Sequence, residues 1–231
     1  MSNQLEDRTH LKKLALHSEH ERLGARFGAF GEWYVPLYYT SVLEEHEAVR
    51  KGVGVFDISH MGEVYFEGLD ARRAVDRLIT NDASKLDRGR ALYSPVCHDS
   101  GGIVDDVIVY ECASERFLIV VNASNIEKDV HWFESHLEGQ VEFRNVSSDT
   151  TLLAVQGPKS RAVIQALFNI DLTKLSYYHF IQFQSPYGEI LLAATGYTGE
   201  EGFEIFCSTG EVSRVWKRLF EVGTPFGLKP I

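Results

Sequence analysis

Ser100-Gly-Gly-Ile-Val-Asp-Asp-Val-Ile-Val-Tyr110 is the stretch whose reading decides the fold. Gly101 and Gly102 turn the backbone, and an apolar, β-branched run follows, broken by two adjacent acids, Asp105 and Asp106. Residues of this kind suit a pleated, half-buried strand. With the turn at Asp99-Ser-Gly-Gly102, residues 103–110 read as the second arm of a hairpin whose first arm is residues 91–97. Neighbouring side chains of a strand point to opposite faces, so the two carboxylates must part: one toward solvent or a turn, the other into whatever covers the opposite face. A carboxylate held away from water without a partner costs several kcal/mol or shifts its pKa. One acid of the pair is therefore either a paired structural group or a functional one.

Working outward, residues 116–121 supply a third strand and residues 53–67 two more, separated by the break Asp57-Ile-Ser-His-Met-Gly62. Strands are also expected at 141–146, 151–156, 180–183 and 189–194, the last two joined across Ser185-Pro-Tyr-Gly188. Helices fall between them. Leucines among charged residues over 11–23 suggest a short amphipathic helix closed by Gly24, and the aromatic, glycine-punctuated 25–39 a strand entering an irregular loop. Ser41-Val-Leu-Glu44 is a capping box opening a helix that ends at Gly52, and Ser124-Asn-Ile-Glu127 repeats the pattern. Asp70 reads as the cap of a helix through Leu78, Pro158 as the first residue of a helix through Phe168, and residues 211–222 as a final helix. Helices alternating with short antiparallel strand pairs indicate an α+β fold with largely antiparallel sheets flanked by helices. No linker rich in Pro, Ser or Gly is present, so two interleaved subdomains are expected: residues 1–52 plus 146–231, and residues 53–145.

The chain has 231 residues, 44% of them hydrophobic and 12% aromatic, enough to bury a substantial core. A formal charge of −10 opposes a nucleic-acid or anionic-membrane surface, because binding to polyanions is dominated by basic contacts. No apolar stretch approaches the roughly twenty residues of a membrane span. The start, Met1-Ser-Asn-Gln-Leu-Glu-Asp7, is acidic and polar, unlike a targeting peptide, so a cytoplasmic location is expected. Three cysteines, Cys97, Cys112 and Cys207, lack metal-ligand spacing and read as buried thiols, with no metal site.

Polar groups gather in four irregular segments at strand ends, where function usually sits. In the first, Asp57 reads as a cap of the turn that follows and His60 as a locally hydrogen-bonded ring, while Met61 either fills a core gap or offers a soft face to a flat heterocycle. In the second are Asp105 and Asp106. In the third, Asn122 either bonds the turn before the following helix or contacts a ligand. The fourth, Gly196-Tyr-Thr-Gly-Glu-Glu-Gly-Phe-Glu204, places Glu200 and Glu201 between glycines in solvent but sets Glu204 in an apolar strand, where it needs a fork of two N–H donors. An arginine or the 2-amino-4-oxo edge of a pterin or guanine has that geometry. No phosphate-cradling Gly-x-x-x-x-Gly-Lys-Ser/Thr loop and no Gly-x-Ser-x-Gly elbow occurs.

Taken together, Val53-Gly-Val-Phe-Asp-Ile-Ser-His-Met-Gly62, Gly101-Gly-Ile-Val-Asp-Asp106, Glu127-Lys-Asp129, Ala154-Val-Gln-Gly-Pro158 and Thr195-Gly-Tyr-Thr-Gly-Glu200 with Gly202-Phe-Glu-Ile205 resemble the aminomethyltransferase, or T-protein, family of the glycine cleavage system. The resemblance runs from about Phe27 onward. It implies a tetrahydrofolate-dependent enzyme that takes an aminomethyl group from the lipoylated H-protein, releases ammonia and forms 5,10-methylenetetrahydrofolate. It further implies Asp105, the first acid of the pair, as the essential aspartate, Glu204 as the pterin-gripping carboxylate, and Met61, Asn122 and Tyr197 as the lining of the folate pocket. Family members continue beyond Gly227-Leu-Lys-Pro-Ile231 into an Arg-containing segment and a C-terminal β-rich domain, which is expected to be absent here. Two other functions fit the same motifs: a folate-binding assembly or regulatory protein, and a folate-dependent demethylase of another methylated substrate.

Overall fold

The computed structural model describes residues 10–231. The acidic start read above, Met1 to Asp7, lies outside the described residues. The chain begins with strand β1 (Lys12–Lys13), helix α1 (His17–Arg22) and the strands β2 (Arg26–Phe30) and β3 (Trp33–Tyr38). The helix expected over 11–23 is shorter, because its first residues are drawn into β1, where Lys12 pairs in parallel with Trp33. Gly24, at φ +81°, ends it as expected. The expected irregular loop over 25–39 is instead a closed hairpin, since Gly31 at φ +57° lets Phe30 and Trp33 pair directly.

Helix α2 (Val42–Lys51) starts where the capping box places it: the Ser41 hydroxyl accepts the Glu44 N–H at 3.3 Å, and Gly52 follows the last turn. Then come β4 (Gly54–Asp57), β5 (Gly62–Glu67), α3 (Ala71–Leu78), β6 (Ala91–Cys97), β7 (Ile103–Ala113), β8 (Arg116–Val121), α4 (Ile126–Ser135) and β9 (Glu142–Asn145). The remainder is β10 (Thr150–Gln156), α5 (Ser160–Phe168), β11 (Phe180–Ser185), β12 (Gly188–Ala193), β13 (Gly202–Ser208), α6 (Val212–Gly223) and β14 (Lys229–Pro230).

Three caps differ from expectation. Asp70 precedes α3 but its carboxylate makes no cap bond; it accepts the Gln140 N–H at 2.8 Å and pairs with Arg73. Helix α4 opens at Ile126 after a 3₁₀ turn over Ala123–Asn125, not at Ser124, and Asn125 spends its amide on Asp105 instead of capping. Helix α5 opens two residues after Pro158, because Gly157 and Lys159 first bond across to Glu201 and Gly52.

The fold is α+β. Strands β6-β7-β8-β5-β9 form one antiparallel sheet of five, and β11-β12-β13-β10-β4-β14 a sheet of six in which only β14 runs parallel to its neighbour. Strand β4 joins the six-stranded sheet through β10, so the chain leaves that sheet after Asp57, beyond the change expected near Val53. Helices α5 and α6 cover the outer face of the larger sheet through Val163, Ile164, Trp216 and Leu219, and α3 and α4 cover the outer face of the smaller through Ala74, Val75 and Phe133. The inner faces meet over a third core, with Tyr110, Leu118 and Val120 from one sheet against Leu152, Leu191, Ala193 and Phe206 from the other. The polar segments named above border this space between the sheets.

Candidate active site

Strand β7 decides how the two acids part. Its register with β6 is unbroken where it matters: Pro95 lies opposite Asp106, Tyr93 opposite Ile108 and Ala91 opposite Tyr110. By the pleat, Asp106, Ile108 and Tyr110 share one face, and Ile108 and Tyr110 belong to the core between the sheets. Asp105, Val107 and Val109 share the other, and the two valines pack in the core beneath α3 and α4.

Asp105 is accordingly buried on the helix side. One carboxylate oxygen accepts the Asn122 backbone N–H at 3.1 Å; the other accepts the amides of Asn122 at 2.9 Å and Asn125 at 2.7 Å. Burial pushes its pKa up, but these bonds together with the carboxyl of Asp129 outweigh burial and hold it below the usual carboxylate range. The donors of the turn before α4 consume the group, and it faces the helix layer and not the space between the sheets.

Asp106 lies on the other face of β7, with Ile108 and Tyr110. It is exposed, and it hydrogen-bonds the hydroxyl of Tyr93, whose pKa it raises, chiefly through its charge. Asn122 straddles the pair, donating its amide both to Asp105 and to the Asp106 carbonyl at 3.0 Å. Its two alternative roles therefore coincide, since the amide that fixes the turn also lies at the edge of the cleft. Met61 sits half-buried at the end of the Asp57–Gly62 break, packed on the inter-sheet core with Ile108 and Tyr65.

Glu204 reaches the same space from the opposite sheet, since Phe206, two residues on in β13, faces that core. No arginine among the described residues pairs with it. The hydroxyls of Thr195 and Tyr110 both donate to Oε2, and Oε1 accepts no hydrogen bond among the described residues. Burial raises the pKa of Glu204, with the two hydroxyls opposing. Tyr197 stands fully in solvent, at 104% relative exposure. Asp106 and Tyr110 lie four residues apart, roughly 13 Å along the strand. The face between the sheets thus carries an acid at each end, Asp106 at one and Glu204 beyond Tyr110 at the other.

Residues not singled out from sequence complete it. Tyr93 and Tyr110 lie in apolar runs where nothing marks a tyrosine as special. Tyr178 has the left-handed φ of +59° and joins the sheets: its carbonyl accepts the Ala91 N–H at 2.8 Å and its N–H donates to Ala194 at 3.0 Å. The loop ahead of Glu204 is tied down by Gln156, whose side chain donates to the Thr195 carbonyl and accepts from Thr198. Gly196 and Gly202 allow this, because a Cβ at either would fall within 2.2 Å of the Gln156 amide. Glu200 and Glu201 are not simply solvated; they pair with Arg50 and Arg161.

His60 lacks the local bond expected of it. Its Nδ1 has no partner among the described residues, burial lowers its pKa, and its ring lies edge-on to Phe30. Asp57 does cap its turn, accepting the Ser59 N–H at 3.1 Å, and it also holds His20 at 2.9 Å. Among the described residues no cluster of His, Cys, Asp or Glu could hold a metal, and no helix is long and apolar enough to cross a membrane.

Comparison with known proteins shows the family of the chain. Residues 16–231 match the family model of the GCVT N-terminal domain. An aminomethyltransferase of Flavobacterium psychrophilum is 46% identical over 96% of this chain and 62% of its own length, and one from Halothermothrix orenii is 42% identical over 95% and 62%. The crystal structure of glycine cleavage system aminomethyltransferase T from Bartonella henselae superposes with a TM-score of 0.88 at 33% identity, over 96% of this chain and 59% of that one. The chain therefore spans about three fifths of the length of the relatives it matches. With nearly its whole length matched, it belongs to the GCVT N-terminal domain family, the family of these aminomethyltransferases.

Proposed function

We propose that this chain forms the folate-binding and reacting portion of a glycine-cleavage aminomethyltransferase. The observation that carries the proposal is the placing of Asp106 and Glu204, from two different sheets, on one cleft floored by Met61, Ile108 and Tyr110. The fit to a tetrahydrofolate rests on Glu204: a carboxylate raised by burial, with Oε1 still lacking a donor, is completed by the adjacent N–H groups of a 2-amino-4-oxo pterin edge. Met61 offers the soft apolar contact that suits a flat ring.

Tetrahydrofolate would supply the two nitrogens that capture the carbon. The carbon's bond to nitrogen breaks to release ammonia, its bond to sulfur breaks to leave the dihydrolipoyl thiol of the lipoylated H-protein, and two bonds to folate nitrogens replace them. Positive charge builds on the S–CH2–N carbon as ammonia departs, so a fixed carboxylate beside it matters more than a strong protein nucleophile. We assign that carboxylate to Asp106 in place of Asp105. It is turned into the cleft, held by Tyr93, and able to accept a hydrogen bond from the attacking nitrogen. Asn122 sets the backbone behind it, and Tyr197 stands at the open rim.

The complete natural polypeptide should bind tetrahydrofolate and release ammonia when aminomethylated H-protein is added. Asp106→Asn should lower kcat by about 10²–10³, the usual cost of losing one electrostatic stabiliser, while tetrahydrofolate still binds. Binding without ammonia in the wild type would instead indicate a folate-binding regulatory protein. Full turnover in Asp106→Asn would remove the assignment of that residue.

A further inference from the structure

The motif Glu127-Lys-Asp129 is left without a role by the site described above. Asp129 projects from the first turns of α4 into the layer behind β7 and is only 1% exposed. Neither of its oxygens finds an N–H or hydroxyl donor among the described residues. The group set against it is the carboxyl of Asp105. The nearest cation, Lys128 of the same helix, stands 3.6 Å from it but donates its ammonium hydrogen to the Val104 carbonyl. Two carboxyl groups set side by side in a buried place resist ionising together.

We propose that Asp129 is a positioning residue for the Asp106 site: it shares one proton with Asp105 and, through Asp105, holds Asn122 and the backbone of Asp106 at the cleft. The route is short. Asp105 carries the turn before α4 by accepting from Asn122 and Asn125, and the Asn122 amide passes on to the Asp106 carbonyl. The electrostatics agree on which partner keeps the proton. Burial and then Asp105 raise the pKa of Asp129 to about 8, while Asp105 is held low. The charged groups felt at Asp129 are Asp105, from β7, and Lys128, on α4 itself.

A proton kept in this way has a consequence for stability. A carboxyl with a raised folded pKa contributes stability present below its unfolded value, 3.8, and lost as pH rises through its folded value, about 8. Asp129→Asn supplies a permanent N–H to Asp105 and removes that dependence. The variant should therefore melt a few degrees above the wild type at about pH 9, the difference shrinking toward acid pH. Tetrahydrofolate affinity of the wild type should weaken by up to about tenfold from about pH 6.5 to pH 9, as the shared proton leaves, and that of Asp129→Asn should stay level. Asp129→Leu, which cannot donate, should bind more weakly than Asp129→Asn throughout.

The affinity arm rests on the proposed folate site, but the melting arm does not. If no variant binds tetrahydrofolate, the folate assignment fails while the proton-sharing pair is still judged by its melting curves. An Asp129→Asn protein that melts below the wild type at every pH would show that the charge of Asp129, not its proton, supports the fold. Equal pH dependence in both would overturn the inference as well.

Discussion

Two buried carboxylates, Asp57 and Glu204, occupy strands of the same six-stranded sheet, yet their surroundings are opposite in kind. Asp57 is saturated. One oxygen accepts from Ser59, through both backbone and hydroxyl, and the other meets His20 Nε2, whose Nδ1 is bonded in turn to the Tyr39 hydroxyl at 2.8 Å. Glu204 has two hydroxyls crowded on one oxygen and, among the described residues, no donor on the other. Burial alone does not separate a structural acid from a binding one; the difference lies in whether the protein itself completes the hydrogen bonds. Asp57 ties α1, β4 and the end of β3 into one unit, whereas Glu204 is left short of donors where a ligand can supply them.

The largest effect should fall on the saturated acid. Asp57→Ala strands the buried His20 and the Ser59 turn, and removing one partner of a buried pair costs about 3–5 kcal/mol. In a domain of this size that amounts to a fall in Tm of about 10 °C or more. Thermal unfolding followed by circular dichroism checks it. A loss of less than about 1 kcal/mol would break the comparison by placing Asp57 among the weakly coupled acids.

Much of this contrast lies beyond what the sequence makes legible. Local signals read well: the Ser41 capping box, the strand at 116–121 and the glycine turn between β6 and β7 depend on neighbours within a few residues. The parity of the Asp105–Asp106 pair does not. It depends on which layers cover β7, helices on one side and a second sheet on the other, and no residue within the motif reports them. Asn125 illustrates the same limit, because the capping pattern before α4 is overridden by a bond to Asp105, twenty residues away. Glu204 was recognisable as an acid in need of donors, but its hydroxyl partners could not be named, since Tyr110 comes from the other sheet, 94 residues earlier. His20 and Asp57 likewise meet only through tertiary structure.

Glu204→Gln tests the other half of the comparison, with a smaller expected effect. Tetrahydrofolate affinity should fall by about 1.5–3 kcal/mol, the range for a hydrogen bond to a charged group, because an amide turns a donor toward the pterin N–H groups. Stability should move the other way. Burial raises the pKa of Glu204 above 4.5, so its carboxyl contributes stability below that pH that is lost as pH rises through its folded value. The variant should therefore lose less stability than the wild type as pH climbs from about 4.5 to neutrality. Calorimetric titration and melting curves at several pH values measure the two parts. Unchanged affinity together with a lower Tm would make Glu204 a second Asp57.

Tyr39→Phe should have the smallest effect and tests how far the saturated network extends. The Tyr39 hydroxyl is its outermost link, 2.8 Å from His20 Nδ1, and burial, with Asp57 and Glu45 adding to it, raises the pKa of that hydroxyl so that it keeps its proton to donate. In the tautomer with its hydrogen on Nε2, the ring donates to Asp57 and accepts from Tyr39, which makes the chain of bonds directional. Losing one such bond costs about 0.5–1.5 kcal/mol by itself. Because the hydroxyl acts on Asp57 only through His20, its loss should cost much less once Asp57 is already alanine. The double variant should thus be more stable than the sum of the single losses predicts, by about the full effect of Tyr39→Phe. Strict additivity in denaturant unfolding would mean that Tyr39 and Asp57 are separate anchors that happen to touch the same ring.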